Sequence, residues 1–261
     1  MINLIFIILF IQNIYLINCS FGPSYTNTII LNDTKIIDKD FDCEYVRYVQ
    51  NPKTMGKGDA NEFQKPLFEV KNGATLKRCI ISGNVGTKGA VDGIHCTGSC
   101  TIKDCWNLQV GEDAITLIST NSNSVYNIIG GGAMNARGKV VQFDGAGQLN
   151  IDGFYIKNAQ IGIRSCGNCD QQFTRKINVK NLKVENLQAG QFIVGVNKNY
   201  NDYAVLKNIQ ILGSSAKSVF VCKVFEGNKV HANPKVLDME DNKGADGKYC
   251  IYGVNDIKYG N

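Results

Sequence analysis

The sequence predicts an all-β fold, a single-domain right-handed parallel β-helix, on three observations. Short strand-forming segments recur at near-constant spacing, beginning at Leu76, Ile102, Val125, Ile151, Val179 and Leu206, which lie 26, 23, 26, 28 and 27 residues apart. A turn-forming residue recurs at a similar place in them, as Asp104, Asn127, Gly153, Asn181 and Asn208. No stretch with apolar residues at a helical period separates them. A period near 25 without helices means coils of β-structure stacked into a solenoid. A leucine-rich repeat would need a Leu consensus that is missing here, and a propeller blade would need about 40 residues. With 44 % hydrophobic and 20 % charged residues in 261, the chain can bury one substantial core.

Taken in order along the chain, Met1 to Cys19 carry no charged side chain, and their best apolar run, Leu4 to Ile11, is far short of the ~20 residues that span a bilayer. This reads as a secretory signal peptide over 1–19, leaving 20–261 as the secreted, extracellular domain with no membrane attachment. Removing Cys19 leaves nine of ten cysteines, a number that suits an oxidising compartment and leaves one without a partner. Residues 20–60 are expected to form an N-terminal cap, and those after about Val230 a cover over the last coil. Coils stack about 4.8 Å apart, so residues one period apart become neighbours on one wall. Cys79 and Cys105 are therefore either a disulfide between adjacent coils or two buried thiols. Cys166-Gly167-Asn168-Cys169 is expected to be a local disulfide, since no second pair lies at metal-ligand spacing. Trp106 is expected in the core, and Gly130-Gly131-Gly132 at a turn.

The net charge of +5, from 28 basic and 23 acidic residues, comes without the dense basic runs of a nucleic-acid binder, so no nucleic-acid partner is expected. Charged residues instead fall near one-coil spacing: Asp92, then Glu112 and Asp113, then Lys139, then Arg164. Three carboxylates on adjacent coils repel one another unless a cation neutralises them. Ca²⁺, a hard ion accepting loose geometry from oxygen ligands, would do so. The regular loop of an EF-hand is missing, so this expectation rests on coil stacking alone.

Five segments then carry a resemblance: Glu62-Phe63-Gln64-Lys65-Pro66-Leu67-Phe68, Asp92-Gly93-Ile94-His95-Cys96, Val110-Gly111-Glu112-Asp113-Ala114, Lys139-Val140-Val141-Gln142 and Arg164-Ser165-Cys166-Gly167-Asn168-Cys169. In this order, over roughly residues 30–225, they resemble the pectate lyases of polysaccharide lyase family 3. The resemblance implies a secreted, calcium-dependent, monomeric β-helix that cleaves de-esterified polygalacturonate (pectate) by β-elimination. It implies Asp92, Glu112 and Asp113 as calcium ligands with Glu62 nearby, and Lys139 and Arg164 facing the substrate. Lys139 is then the expected base, because Lys gives up its proton more readily than Arg, and Arg164 the ligand of a substrate carboxylate and the alternative base if Lys139 proves dispensable.

The chain departs from the family at one position. The resemblance calls for a lysine three residues before Arg164, and Ile161 stands there, with Lys157 out of register to replace it. The alternative is therefore a weakened or inactive polygalacturonate-binding β-helix that keeps the groove and the calcium. A pectin hydrolase ranks third, because it needs two carboxylates at acid/base spacing and has no need of Lys139.

Overall fold

The computed structural model describes residues 21–59, 64–238 and 246–260. The signal-peptide expectation over 1–19 and the calcium-ligand expectation at Glu62 lie outside the described residues. Within them the chain winds into a right-handed parallel β-helix with three walls. One wall stacks Lys35–Ile37, Phe68–Val70, Ile94–Cys96, Ile115–Leu117, Lys139–Phe143, Ile161–Ser165, Phe192–Asn197 and Phe220–Glu226, all parallel. It is closed by antiparallel Lys235–Asp238. The other two walls share the long strands Arg175–Glu185 and Tyr203–Leu212, which bend from one wall into the next.

Alternation of side chains makes each wall one-sided. Leu76, Ile102, Ile128, Ile151, Val179 and Leu206 are Cα partners in succession and none is more than 2 % exposed, so they form one continuous column of the core. This corrects the period expected from sequence at one place. The third repeat begins at Ile128, three residues beyond Val125, because strand Val125–Ile129 starts three residues ahead of the stacked position, while the coil itself keeps the length of the one before it. Asn127 consequently sits within that strand, and the turn position falls to Gly130.

That turn position recurs as Arg78, Asp104, Gly130, Gly153, Asn181 and Asn208, with φ between +50° and +72°. Asn, Asp and Gly tolerate this left-handed conformation, which is why they recur there in the sequence. The amides stack as well: Asn208 Nδ2 donates to Asn181 Oδ1, and Asn181 Nδ2 to Asp152 Oδ1, each at 2.8 Å.

Two expected elements differ. Residues 20–60 are not a separate cap: Thr28–Leu31, Lys35–Ile37 and Phe41–Asp42 already form the three strands of a first coil. Trp106 points outward, half-buried, with its ring covered by Phe21 at 5.2 Å between centroids. The cover after Val230 is present, as Lys235–Asp238 on the first wall and Cys250–Ile251 and Ile257–Gly260 on the others.

The cysteines pair as Cys43–Cys79, Cys96–Cys100, Cys166–Cys169 and Cys222–Cys250. The expected odd thiol is Cys105, while the disulfide between Cys79 and Cys105 is not formed. Cys79 has a cysteine neighbour on each side in the stack, and Cys43 on the preceding coil takes it. Burial pushes the Cys105 thiol up to about 12, so it remains a small apolar filler rather than a nucleophile.

Candidate active site

The charged residues singled out in the sequence meet where the loops enter the first wall. Asp92 immediately precedes strand Ile94–Cys96, Glu112 and Asp113 precede Ile115–Leu117, and Lys139 begins Lys139–Phe143. Glycines let these loops lie backbone against backbone. A Cβ on Gly111 would stand 2.0 Å from the Ala90 carbonyl oxygen, and one on Gly138 would stand 3.0 Å from Asp113 Oδ1. The Gly93 amide donates to the Asp113 carbonyl, and the Gly138 amide to that of Glu112, which sets the three coils in register.

Asp92, Glu112 and Asp113 are each no more than 6 % exposed. Lys139 Nζ stands 3.5 Å from Glu112 Oε1 and 3.4 Å from Asp113 Oδ2, while the Lys139 amide donates to Asp113 Oδ1 at 2.8 Å. His95 Nε2 lies 3.2 Å from Asp92 Oδ2. Asp92 Oδ1 is buried and accepts no hydrogen bond. Burial raises Asp113 to about 8 against the pull of the Lys139 ammonium, and the neighbouring charges of Glu112 and Asp92 push the same way as burial. The donors are hard oxygens, one of them buried and orphaned, of the kind Ca²⁺ takes; among the described residues the three carboxylates do not all reach within 4.8 Å of one another, so a bound ion would have to draw them together.

The sign of that shift yields a measurable consequence. A carboxyl raised from 3.8 to about 8 on folding contributes stability that is present below pH 3.8 and lost as pH rises through about 8. The calcium-free protein is therefore expected to melt at progressively lower temperature as pH is raised across that window. Added calcium should restore the loss, and a Tm that ignores calcium at pH 8 would count against this cation site.

Arg164 lies on strand Ile161–Ser165, outward, with its guanidinium carbon 5.2 Å from the Phe225 ring centre and 5.9 Å from that of Phe192. Here the register departs from the one-coil spacing of the sequence. Lys139 pairs with Ile161, whereas Arg164 pairs with Gln142. Ile161 is thus the residue beside Lys139 on the next strand. Lys157 lies on another wall, 2.8 Å from Glu185, and cannot replace a cation here.

Lys139 and Arg164 both line an open cleft of about 790 Å³ along this wall, shared with Gln142, Asp144, Asn168 and His231. Lys139 and Arg164 bring cations to this cleft, with Asp144 and Asp170 also in its lining and Glu112 and Asp113 behind Lys139. Gln142, Phe192 and Phe225 were not singled out from the sequence. The signal for Gln142 was stacking from Arg164, obscured by the shorter step between these coils. Cys166 and Cys169 form the expected local disulfide at the cleft's edge, with Cys169 Sγ 3.4 Å from Asp144 Oδ1.

Comparison with known proteins bears on the chain as a whole. A family model described as pectate lyase matches residues 20–231. Pectate lyase E of Emericella nidulans is 32 % identical over 230 residues, covering 88 % of this chain and 83 % of that protein. Probable pectate lyase D of Aspergillus fumigatus is 34 % identical over 197 residues, 76 % of each chain. Among solved structures, the catalytic domain of pectate lyase PelI from Erwinia chrysanthemi superposes with a TM-score of 0.69 at 27 % identity, covering 89 % of this chain and 97 % of that one. The same enzyme in complex with tetragalacturonic acid gives 0.66 at 26 % identity, over 89 % of this chain and 68 % of that one. With its β-helix, its stacked carboxylates and this family match over most of its length, the chain belongs to the pectate lyases, a family of polysaccharide lyase enzymes.

Proposed function

We propose that this protein is a secreted, calcium-dependent pectate lyase that cleaves de-esterified polygalacturonate by β-elimination. The observation that carries the reading is Lys139, which stands between buried carboxylates at its back and, at its front, an open cleft that it lines together with Arg164. Asp92, Glu112 and Asp113 would hold the Ca²⁺, with Glu62 as a further ligand. When bound, the ion neutralises substrate carboxylate and stabilises the negative charge that develops on it. Lys139 takes the proton from C5 of a galacturonate. The electron pair of that C–H bond forms the C4–C5 double bond, the C4–O bond breaks, and the departing oxygen takes up a proton. Lys139 can act as base only after leaving its ion pairs with Glu112 and Asp113, since those contacts hold its proton in place. Arg164, kept on the cleft face by the rings of Phe192 and Phe225, binds a substrate carboxylate and opposes the same developing charge. Secretion is supported by the uncharged apolar segment 1–19 and by the four disulfides.

A second reading follows from Ile161. An apolar side chain beside Lys139, where the family resemblance calls for a cation, removes one source of carboxylate binding and transition-state stabilisation. In that reading the protein retains polygalacturonate and calcium without turnover. Incubation of the protein lacking residues 1–19 with polygalacturonate, with calcium or with excess chelator, separates the two. A calcium-dependent rise in the ultraviolet absorbance of unsaturated product supports the lyase; calcium-dependent binding with no rise makes it a binding protein.

A further inference from the structure

The sheet that carries the cleft continues past Arg164, beyond the residues that line the cleft itself. Gln142, Arg164, Gly195 and Lys223 are successive Cα partners on neighbouring strands, so Lys223 lies two strands beyond Arg164 on the same outward column. Gly195, between them, has no side chain to intervene, and the space is taken by aromatic rings. A Cβ there would meet Phe192 at 2.5 Å and Phe225 at 3.1 Å. The Lys223 ammonium lies 5.8 Å from the centre of the Phe192 ring and 4.0 Å from that of Phe220. Arg164 and Lys223 therefore flank one ring, Phe192, each within 6 Å of its centre.

Lys223 is half-buried, and its hydrogen bond goes to a neutral group, the Gly190 carbonyl, at 2.8 Å. Among the described residues no carboxylate lies within ion-pair distance of it, in contrast to Lys77, Lys88, Lys139, Lys157 and Lys180. Burial alone pushes its pKa below the ordinary lysine value. Partly removing an ammonium from water without a counter-charge is unfavourable, and an acidic polymer lying along the wall would relieve it.

We propose that Lys223 binds a carboxylate of the polysaccharide, on a different sugar from the one held at Arg164. Two strand spacings place it roughly 10 Å further along the solenoid axis, beyond the width of one sugar ring. The inference rests on the acidic-polysaccharide reading given above. It makes the Phe192 ring, itself buried, the apolar spacer that holds the two cations apart.

The test compares the wild-type protein with Lys223→Met, which keeps the aliphatic stem, and Lys223→Arg, which keeps the charge. On long polygalacturonate with calcium, Lys223→Met should raise KM about tenfold with kcat within about twofold, as expected for loss of one charge-assisted contact. Its KM should also respond less steeply to added salt than the wild type's, and Lys223→Arg should recover most of both effects. An unchanged KM, or a changed KM with the wild-type salt response, would overturn the proposal, because loss of the Gly190 contact alone does not alter salt dependence. If the wild type yields no unsaturated product, the lyase reading fails and Lys223 is judged by calorimetric binding to the same polymer. A Kd about tenfold weaker in Lys223→Met supports it, and an equal Kd overturns it.

Discussion

Lys139→Ala is expected to lower the rate of unsaturated-product formation by about 10²- to 10⁴-fold, the range set by loss of a positioned general base. Lys139→Arg is the sharper variant. It keeps a cation beside Glu112 and Asp113 but cannot surrender its proton at working pH, so turnover should be lost while calcium-free stability is kept. Steady-state assays alongside circular dichroism distinguish the two effects. In the absence of calcium Lys139→Ala should also melt at lower temperature, since two buried carboxylates lose their counter-charge, and calcium should recover part of that loss. Retention of near-wild-type turnover in Lys139→Arg would mean that position 139 supplies charge and not the base.

The largest effect on stability is expected from Arg175. Its side chain and that of Asp202 are fully buried, with Nη1 3.8 Å from Asp202 Oδ2, and the Arg175 amide donates to Asp202 Oδ1 at 2.8 Å. The guanidinium also donates to the carbonyls of Asp144 at 2.6 Å, Gly145 at 2.9 Å and Cys166 at 3.4 Å. It thereby ties together the loops that form the cleft's far edge. Burial pulls the two groups' pKa values toward their neutral forms, lowering that of Arg175 and raising that of Asp202, while each offsets the other's shift. Removing one partner leaves the other charged and uncompensated. Arg175→Met should cost about 3 to 5 kcal/mol, a fall in Tm of roughly 10 °C for a chain of this size. The double variant Arg175→Met with Asp202→Leu should recover much of that loss, because no charge is then stranded. Scanning calorimetry on the two variants decides the point; equal losses would mean that the carbonyl contacts, not the charge pair, dominate.

The repeat made the fold legible because a solenoid writes its geometry into spacing. Leu76 and Ile102 stand one coil apart in sequence, Ile151 two coils beyond, and all three fall in one stacked column. What spacing alone could not supply was where within a strand the stacked residue sits. Strand Val125–Ile129 begins three residues before its stacked Ile128, which displaced one expected repeat and moved the turn from Asn127 to Gly130. The site was legible in the same way and failed in the same way. Asp113 and Lys139, 26 residues apart, do meet, whereas the 25-residue step from Lys139 to Arg164 overshoots, since the coil between them is shorter and Ile161 takes the facing place. Cys79 illustrates a different limit. Its distance to Cys105 was right, but a second cysteine lay on its other side, and pairing is decided by which sulfur is reached. Phe192, Phe225 and Lys223 left no trace because aromatic rings crossing over a glycine follow side-chain direction, not period.

Because each coil meets only the coils above and below it, the solenoid is divisible in whole turns, and its reach along a polymer is separable from its chemistry. An insert of one complete coil after Phe220–Glu226 would lengthen the cleft wall by about 4.8 Å and leave Asp113 against Lys139. The same insert between Ile115–Leu117 and Lys139–Phe143 would separate that pair and disconnect the carboxylates from the cleft. Duplication of terminal coils is therefore a route by which such a chain can change the length of substrate it embraces, whereas the three coils from Asp92 to Lys139 must be inherited as a block.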